Sequence, residues 1–221
     1  MIDLTVVDRI ATVRVDDGKR NALSTAAIEQ LRAAITEATG RGSTAVVLTG
    51  REGTFSAGFD LAEVRESDES RERLRRSFIA LLVELFEAPC PVVVGCTGHA
   101  MAAGAALLLG GDRRIGAAGP FKVGFNEAAA GVTISAVTVE LARYRMPMPQ
   151  FESLVTGDLF DPAGAVGAGL LDEVVEPAEV EARAVAEAER LLAVPEAAFV
   201  AMKATLRRPV IDLMREAQRN L

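Results

Sequence analysis

The sequence predicts an α/β fold in which most strands pair in parallel. Apolar runs of strand length alternate with a helical pattern in the first part of the chain, at residues 10–15, 25–39 and 45–48. Helical patterns dominate the second half. Because strands that are joined through helices pair in parallel, this order favours an α/β fold over a helix bundle or a β-sandwich.

The first third of the chain is predicted to contain a hairpin, a helix, a buried strand and a loop. The hairpin strands alternate apolar and polar residues. Ser24 is a good N-cap for the helix, whose apolar residues recur at spacings of three and four until Gly40 ends it. In chain order, these elements cover residues 2–7, 10–15, 25–39, 45–48 and 50–58.

The central part of the chain combines a long helix with a run of small residues. The helix is predicted over residues 67–87 and ends before Pro89. A buried strand at 91–95 follows, then the sequence GHAMAAGAALLLGG at 98–111, then a strand at 113–115. Small residues at a helix start let a ligand reach unpaired N–H groups. The same composition is also typical of a tightly packed buried helix, so this stretch alone leaves both interpretations open.

The second half is predicted to be mainly helical. Its strands are predicted at residues 121–125 and 170–175. Its helices are predicted at residues 134–143, 149–155, 163–168 (capped by Asp161), 178–192 and 196–221. We interpret residues 1–176 as a mixed core and residues 177–221 as a C-terminal helical segment of the same single domain.

The composition is that of an acidic globular protein. Half of the 221 residues are apolar, a quarter are charged, and the formal charge is −7. This charge argues against the basic footprint of a nucleic-acid-binding protein. Asp3 and Asp8 interrupt any signal-peptide pattern, and Gly95 and Gly98 break the longest apolar run. We therefore expect no membrane span.

The cysteines and the single histidine limit redox and metal chemistry. Cys90 and Cys96 lie six residues apart at one predicted strand, or about 20 Å of extended chain. That distance is too long for a disulfide, so a reducing cytoplasmic location is expected. His99 is the only histidine, which excludes a metal site built from several histidines.

Three stretches carry groups that suit proton abstraction next to a carbonyl. Residues 55–61 (FSAGFDL) and 98–104 (GHAMAAG) are small-residue turns that present N–H groups, and Glu127 follows a predicted strand. The N–H groups would stabilise an enolate and the carboxylate would move the proton. Simpler alternatives exist, since Asp60 could cap the following turn and Glu127 could be a solvated surface acid.

The order and spacing of these stretches resemble the crotonase family, also called the enoyl-CoA hydratase/isomerase family. The resemblance covers nearly the whole chain. The matching residues are NAL at 21–23, FSAGFDL at 55–61, PVVVG at 91–95, GHAMAAG at 98–104, GFNE at 124–127 with Gly131, TG at 156–157, residues 165–170 with Val174 and Val175, and AMK at 201–203.

The resemblance implies a crotonase-like spiral of ββα units, with C-terminal helices that build a homotrimer or a dimer of trimers. It also implies an acyl-CoA thioester as substrate and no metal or redox cofactor, coenzyme A being part of the substrate. In the family, two backbone N–H groups bind the thioester oxygen, and by position these belong to Phe59 and Ala103. Alanine stands where the family usually has glycine, and its N–H can serve if its φ is negative.

The resemblance further implies a CoA-binding surface. Two loops are expected to surround the adenine and pantetheine, and a lysine of the last helix is expected to approach the phosphates. The loop residues are Lys19, Arg20, Ala22, Ala57, Asp60 and Leu61, and the lysine is Lys203. The alternative for Lys203 is a solvated helix residue.

Departures from the family pattern favour a double-bond shift over hydration. Hydratases of the family use two glutamates; the second matches Glu127, but the first falls at Ala106. One carboxylate can carry a proton between C2 and C4, whereas water addition takes one proton from water and delivers one to carbon. The dienoyl isomerase branch has an aspartate where this chain has Ser135. We interpret His99 as structural.

Two alternatives stay open. A hydratase could draw a second acid from outside the motif, such as Asp68, Glu69 or Glu140. A non-catalytic acyl-CoA-binding member would fit Ala103 and Ala106. Most relatives continue for one or two more helices, so we expect an acyl pocket that is more open, or one that a neighbouring subunit closes.

Overall fold

The computed structural model describes residues 1–40 and 45–219, so residues 220–221 of the last predicted helix lie outside the described part. The strands are β1 Ile2–Val7, β2 Ile10–Val15, β3 Ala22–Leu23, β4 Ala45–Thr49, β5 Gly53–Ser56, β6 Gly58–Phe59, β7 Val92–Cys96, β8 Gly98–Met101, β9 Arg113–Ala117, β10 Val123–Gly124, β11 Leu159–Phe160 and β12 Glu173–Val175. The helices are α1 Thr25–Gly40, α2 Leu61–Glu66, α3 Asp68–Glu87, α4 Ala103–Gly110, α5 Ala136–Arg145, α6 Met148–Phe151, α7 Ser153–Thr156, α8 Pro162–Gly167, α9 Val180–Leu192 and α10 Glu196–Arg219, with a 3₁₀ turn at Pro177–Glu179.

The central sheet has six strands in the order β1-β2-β4-β7-β9-β12. Only the β1–β2 hairpin is antiparallel, and the other neighbours in this sheet pair in parallel. A smaller sheet in the order β11-β10-β8-β5 and the pair β3–β6 lie outside it. The predicted α/β class with mostly parallel pairing is therefore confirmed.

Both faces of the central sheet are covered, which explains why β4 and β7 are apolar and fully buried. One face packs on α1, α3 and α4 in the larger hydrophobic cluster, which Met214 of α10 joins. The other face packs on α9. The second cluster consists of Ile10, Ala45, Val47, Val93, Ile115, Ala184, Ala188 and Leu191. The helices after residue 176 thus share their core with the rest of the chain.

The N-caps expected from the sequence are present. The Ser24 Oγ accepts a hydrogen bond from the Ala27 N–H at 3.2 Å, and the Asp161 carboxylate accepts one from the Gly164 N–H at 2.6 Å. Each satisfies an N–H group at a helix start that has no partner within the helix.

Several predicted boundaries differ from the structure. The expected loop 50–58 contains β5 and the first residue of β6, two strands that pair through their backbones and lack the apolar alternation that marks a strand. The strand expected at 121–125 is only Val123–Gly124. The strand expected at 170–175 starts at Glu173, because the N–H groups of Leu170 and Leu171 bond back to the carbonyl of Ala165.

A buried ion cluster attaches α10 to the central sheet. The Asp112 carboxylate accepts hydrogen bonds from the Val92 N–H at 2.7 Å, from the Lys203 Nζ at 2.8 Å and from the Arg207 guanidinium at 2.6 Å. Lys203 also donates to the Cys90 carbonyl at 2.9 Å. Because these charges are buried together, each depends on the others for compensation.

We expect Asp112→Ala to lower the free energy of unfolding by about 3–5 kcal/mol, because it leaves two buried cations without a carboxylate. Urea denaturation of the purified protein measures this loss. Asp68→Ala is the control: this aspartate is 95% exposed and its removal should cost less than about 1 kcal/mol. Equal stability of the two variants would contradict a structural role for the cluster.

Candidate active site

The start of α4 presents main-chain N–H groups. Ala102 precedes the helix with φ 52° and ψ −121° and offers no side-chain cap. The first bond of the helix runs from the Ala106 N–H to the Ala102 carbonyl, so the preceding N–H groups have no partner within the helix. Ala103 is helical and has a negative φ. The condition under which alanine can replace the family's glycine is therefore met.

The segment that carries Phe59 lies directly against this helix start. A Cβ atom added to Gly58 would lie 3.1 Å from the Ala102 Cβ and 3.5 Å from the Ala103 nitrogen. A Cβ atom added to Gly104 would lie 2.5 Å from the Ser56 carbonyl oxygen. The structure thus brings the two predicted donor segments into contact, and only glycine permits this approach.

Glu127 is attached to the same turn. β10 pairs in parallel with β8, and the Ala102 N–H donates to the Gly124 carbonyl at 3.0 Å. Glu127 follows three residues later, in a turn that the bond from the Val132 N–H to the Glu127 carbonyl closes at 2.8 Å. The backbone hydrogen bonds between β8 and β10 therefore hold the segment that carries Glu127 beside the start of α4.

The Glu127 carboxyl group is not a solvated surface acid. Its Oε2 atom is buried and has no hydrogen-bond partner within the described part of the chain. Burial raises the pKa of Glu127 above its ordinary value, in spite of a hydrogen bond from its own backbone. A raised pKa and an unpartnered oxygen are what a group needs in order to accept and return a proton.

The other acids considered from the sequence lie in different settings. Asp68 and Glu69 are exposed at the start of α3, where Asp68 pairs with Arg71 at 2.6 Å. Glu140 lies 3.6 Å from the Arg143 guanidinium. Ala106 is 1% exposed in α4. Among the residues that the structure describes, no group of three or more histidine, cysteine or acidic side chains could hold a metal ion.

Ser135 and His99 make structural contacts. The Ser135 Oγ caps α5 by accepting a hydrogen bond from the Thr138 N–H at 3.1 Å. The His99 Nδ1 accepts a hydrogen bond from the Lys122 N–H at 3.0 Å, and its ring packs edge-on against Phe121. Both residues order the chain on either side of Glu127.

Asn21 joins the two loops predicted to bind CoA. Its Nδ2 donates to the carbonyls of Val15 and Phe55, at 2.7 and 3.1 Å, and its Oδ1 accepts from the Asp17 N–H. The Ser56 Oγ donates to the Asn21 carbonyl. Asn21 is fully buried with φ 51°. Sequence reasoning assigned its side chain no role, although an asparagine between a turn and a short strand is a signal for left-handed backbone.

Four of the predicted CoA-binding residues line one open groove of about 1030 Å³ along the start of α1. These residues are Lys19, Arg20, Ala22 and Asp60. Ala57 is bound to a residue that lines this groove, since its N–H donates to the Arg20 carbonyl at 3.0 Å. Leu61 is exposed. The Asp60 carboxylate accepts a hydrogen bond from the Ala62 N–H at 2.8 Å. Its side chain therefore caps α2, which was the simpler alternative considered for it.

The expectation for Lys203 is wrong. Its side chain is 8% exposed, and the ammonium is bound inside the protein by Asp112 and the Cys90 carbonyl. A lysine in this position cannot reach a phosphate in the groove without leaving a buried carboxylate. The alternative of a solvated residue is also wrong, because Lys203 faces inward from α10.

Comparison with known proteins agrees with this architecture. A model of the enoyl-CoA hydratase/isomerase family matches residues 6–221. A Mycobacterium avium protein named probable enoyl-CoA hydratase echA17 is 32% identical over 221 residues, covering 91% of this chain and 84% of that protein. The structure of a Pseudomonas syringae enoyl-CoA hydratase/isomerase family protein superposes with a TM-score of 0.96 at 35% identity, covering 99% and 95% of the two chains.

A Mycobacterium tuberculosis protein described as an enoyl-CoA isomerase superposes with a TM-score of 0.93 at 34% identity, covering 99% of this chain and 96% of that chain. The family match spans nearly all of the chain, and these neighbours share its fold from end to end. The chain therefore belongs to the enoyl-CoA hydratase/isomerase family of acyl-CoA-processing enzymes and has the crotonase fold.

Proposed function

We propose that this protein is an enoyl-CoA isomerase that moves the double bond of a 3-enoyl-CoA to position 2. The observation that carries the proposal is the carboxyl group of Glu127, which is buried and unpartnered at Oε2 and lies in the turn that follows β10, the strand bonded to the start of α4. Neither Ala106 nor any of the three other acids considered offers a second buried, unpaired carboxylate.

One carboxylate is sufficient for this reaction. The Glu127 carboxylate removes a proton from C2, and the electrons of that C–H bond move onto the thioester oxygen as an enolate. The N–H groups of Phe59 and Ala103 donate to this oxygen. The Glu127 carboxylic acid then delivers the proton to C4 as the C2–C3 double bond forms. No atom is gained or lost and the oxidation level of the substrate does not change, so the step consumes no water and no redox equivalent.

The electrostatics of the site support the same assignment. Burial raises the pKa of Glu127 and so brings it closer to that of the carbon acid from which it takes the proton. The positive end of the α4 dipole and its unpaired N–H groups favour negative charge at the thioester oxygen. Both effects favour the enolate over the neutral thioester.

Hydration of 2-enoyl-CoA is the second candidate, because the Mycobacterium avium relative is named a probable hydratase. A hydratase would need a second acid near Glu127. Of the acids considered, Glu140 is the one that is partly buried, and it lies beside Arg143. An acyl-CoA-binding protein without turnover is the third reading.

We also propose assembly as a trimer or a pair of trimers. Support comes from α10, which exposes the apolar side chains of Met202, Leu206 and Leu213. Light scattering coupled to size-exclusion chromatography should give a mass of three or six chains, and a mass of one chain would contradict this assembly.

Glu127→Gln should reduce the isomerisation of 3-enoyl-CoA by about 10²- to 10⁴-fold, because glutamine cannot exchange the proton. Binding of the acyl-CoA should persist. The formation of the 2-enoyl thioester is followed by its ultraviolet absorption. Glu140→Gln is the matched control and should keep full isomerase activity. If wild type instead hydrates 2-enoyl-CoA and Glu140→Gln abolishes that activity, the hydratase is correct.

The rate should depend on pH through Glu127. Because the carboxylate must be ionised to remove the C2 proton, kcat/KM should fall tenfold per pH unit below the pKa of Glu127. Burial raises that pKa, so the fall should begin above 4.5, the ordinary value for glutamate. Initial rates across a pH series measure it. A constant kcat/KM down to pH 4.5 in a protein that stays folded would contradict the assignment.

A further inference from the structure

The C-terminal end of α4 is held by a buried guanidinium. Arg145 is the last residue of α5, and its Nε donates to the Leu109 carbonyl at 3.1 Å. Its Nη2 donates to the Gly111 carbonyl. The carbonyl groups at the end of a helix have no partner within the helix. Arg145 therefore binds the end of α4 opposite to the Ala103 N–H.

Arg145 has no ion pair within the described ranges 1–40 and 45–219. The neighbouring carboxylates are occupied: Asp112 binds Lys203 and Arg207, and Asp172 binds Arg114. The Arg145 guanidinium instead lies over two aromatic rings, 5.6 Å from that of Phe86 and 5.2 Å from that of Tyr144. Its positive charge is thus not cancelled by an acid.

The charge persists at neutral pH. Burial, together with the nearby cations Arg114 and Arg207, lowers the pKa of Arg145 to about 9. A buried cation without a carboxylate is costly, and the atoms that compensate it here are the carbonyls of α4 and the aromatic rings. The cation therefore lies at the negative end of the α4 dipole, where it is most favourable.

The two ends of α4 are close enough to be coupled. The helix has eight residues, which corresponds to about 12 Å. A cation at the carbonyl end of α4 neutralises the partial negative charge there, so the positive potential at the N–H end is reduced less by it. α5 begins just after the Glu127 turn, at the cap formed by Ser135, and ends at Arg145. Helix α5 therefore connects the turn that contains Glu127 with the C-terminal end of α4.

We propose that Arg145 is a positioning residue, which fixes α4 by binding the Leu109 carbonyl in its last turn and the carbonyl of its C-cap Gly111, and thereby directs the Ala103 N–H toward the thioester oxygen. The inference rests on the proposed function for the identity of that oxygen. It adds a residue that makes no contact with substrate and acts through the helix.

A chromophoric acyl-CoA separates this role from simple helix capping. Cinnamoyl-CoA is a 2-enoyl thioester whose absorption band moves to longer wavelength when donors polarise its carbonyl. The experiment compares the bound spectrum, the dissociation constant, and kcat and KM for 3-enoyl-CoA. The variants are Arg145→Met, Arg145→Lys and the control Arg143→Met, which removes an exposed arginine of the same helix.

Arg145→Met should lose most of the spectral shift and about 10- to 100-fold of kcat, while KM and the dissociation constant change less than about threefold. Arg145→Lys keeps the charge but loses the planar guanidinium, whose Nε and Nη2 bind the two carbonyls in a fixed geometry, so its shift and kcat should lie between those of wild type and Arg145→Met. Arg143→Met should match wild type in all measurements.

A folded Arg145→Met protein with a full shift and full kcat overturns the proposal and leaves Arg145 as a helix cap. If Arg145→Met does not fold, Arg145→Lys decides in the same way, since an unchanged shift and kcat would overturn it. A wild type that shifts the spectrum but does not isomerise contradicts the proposed function, while the shift still tests Arg145. A wild type that binds cinnamoyl-CoA without any shift overturns both.

Discussion

The close contact between the main chains of residues 56–58 and 102–104 is the constraint on which the site depends. No side chain fits at Gly104, since a Cβ atom there would lie 2.5 Å from the Ser56 carbonyl oxygen. A Cβ on Gly98 would lie 2.1 Å from the Gly53 carbonyl oxygen, where β5 and β8 pair. The small residues at 98–104 therefore do more than fill a buried helix: they let two N–H-bearing segments meet. Because β10 pairs with β8 next to this contact, the contact also places the segment that carries Glu127.

The charges inside the molecule separate into structural and chemical groups by their partners. Asp112 is compensated by Lys203 and Arg207, and Glu187, although 2% exposed at its side chain, is compensated by Arg113, Arg183 and Arg190. Such groups stabilise the fold because their charge is satisfied. Glu127 has no such partner at Oε2. An acid that is buried without compensation is costly for stability and useful for proton transfer, and this contrast singles it out.

The main elements of the fold could be predicted because their signals are local. The β1–β2 hairpin, the start of α1 at Ser24 and the cap at Asp161 follow from alternation and capping residues. The short strands β5 and β6 could not, since backbone pairing with distant segments defines them. Within the site, the place of Glu127 after a strand made it a candidate, and the family resemblance gave it the role of acid and base. The role of Asn21 was missed because its partners lie in separate loops. The prediction for Lys203 was wrong because no local pattern shows that α10 directs this side chain inward to Asp112.

In the proposed reaction, one carboxylate carries a proton between two carbons of one thioester. The most direct measurement is nuclear magnetic resonance of the product formed in ordinary water from 3-enoyl-CoA that carries deuterium at C2. We expect 2-enoyl-CoA with part of the deuterium at C4, because Glu127 returns to C4 the deuteron that it removed from C2. Formation of 3-hydroxyacyl-CoA as the main product, or 2-enoyl-CoA without any deuterium at C4, would contradict it.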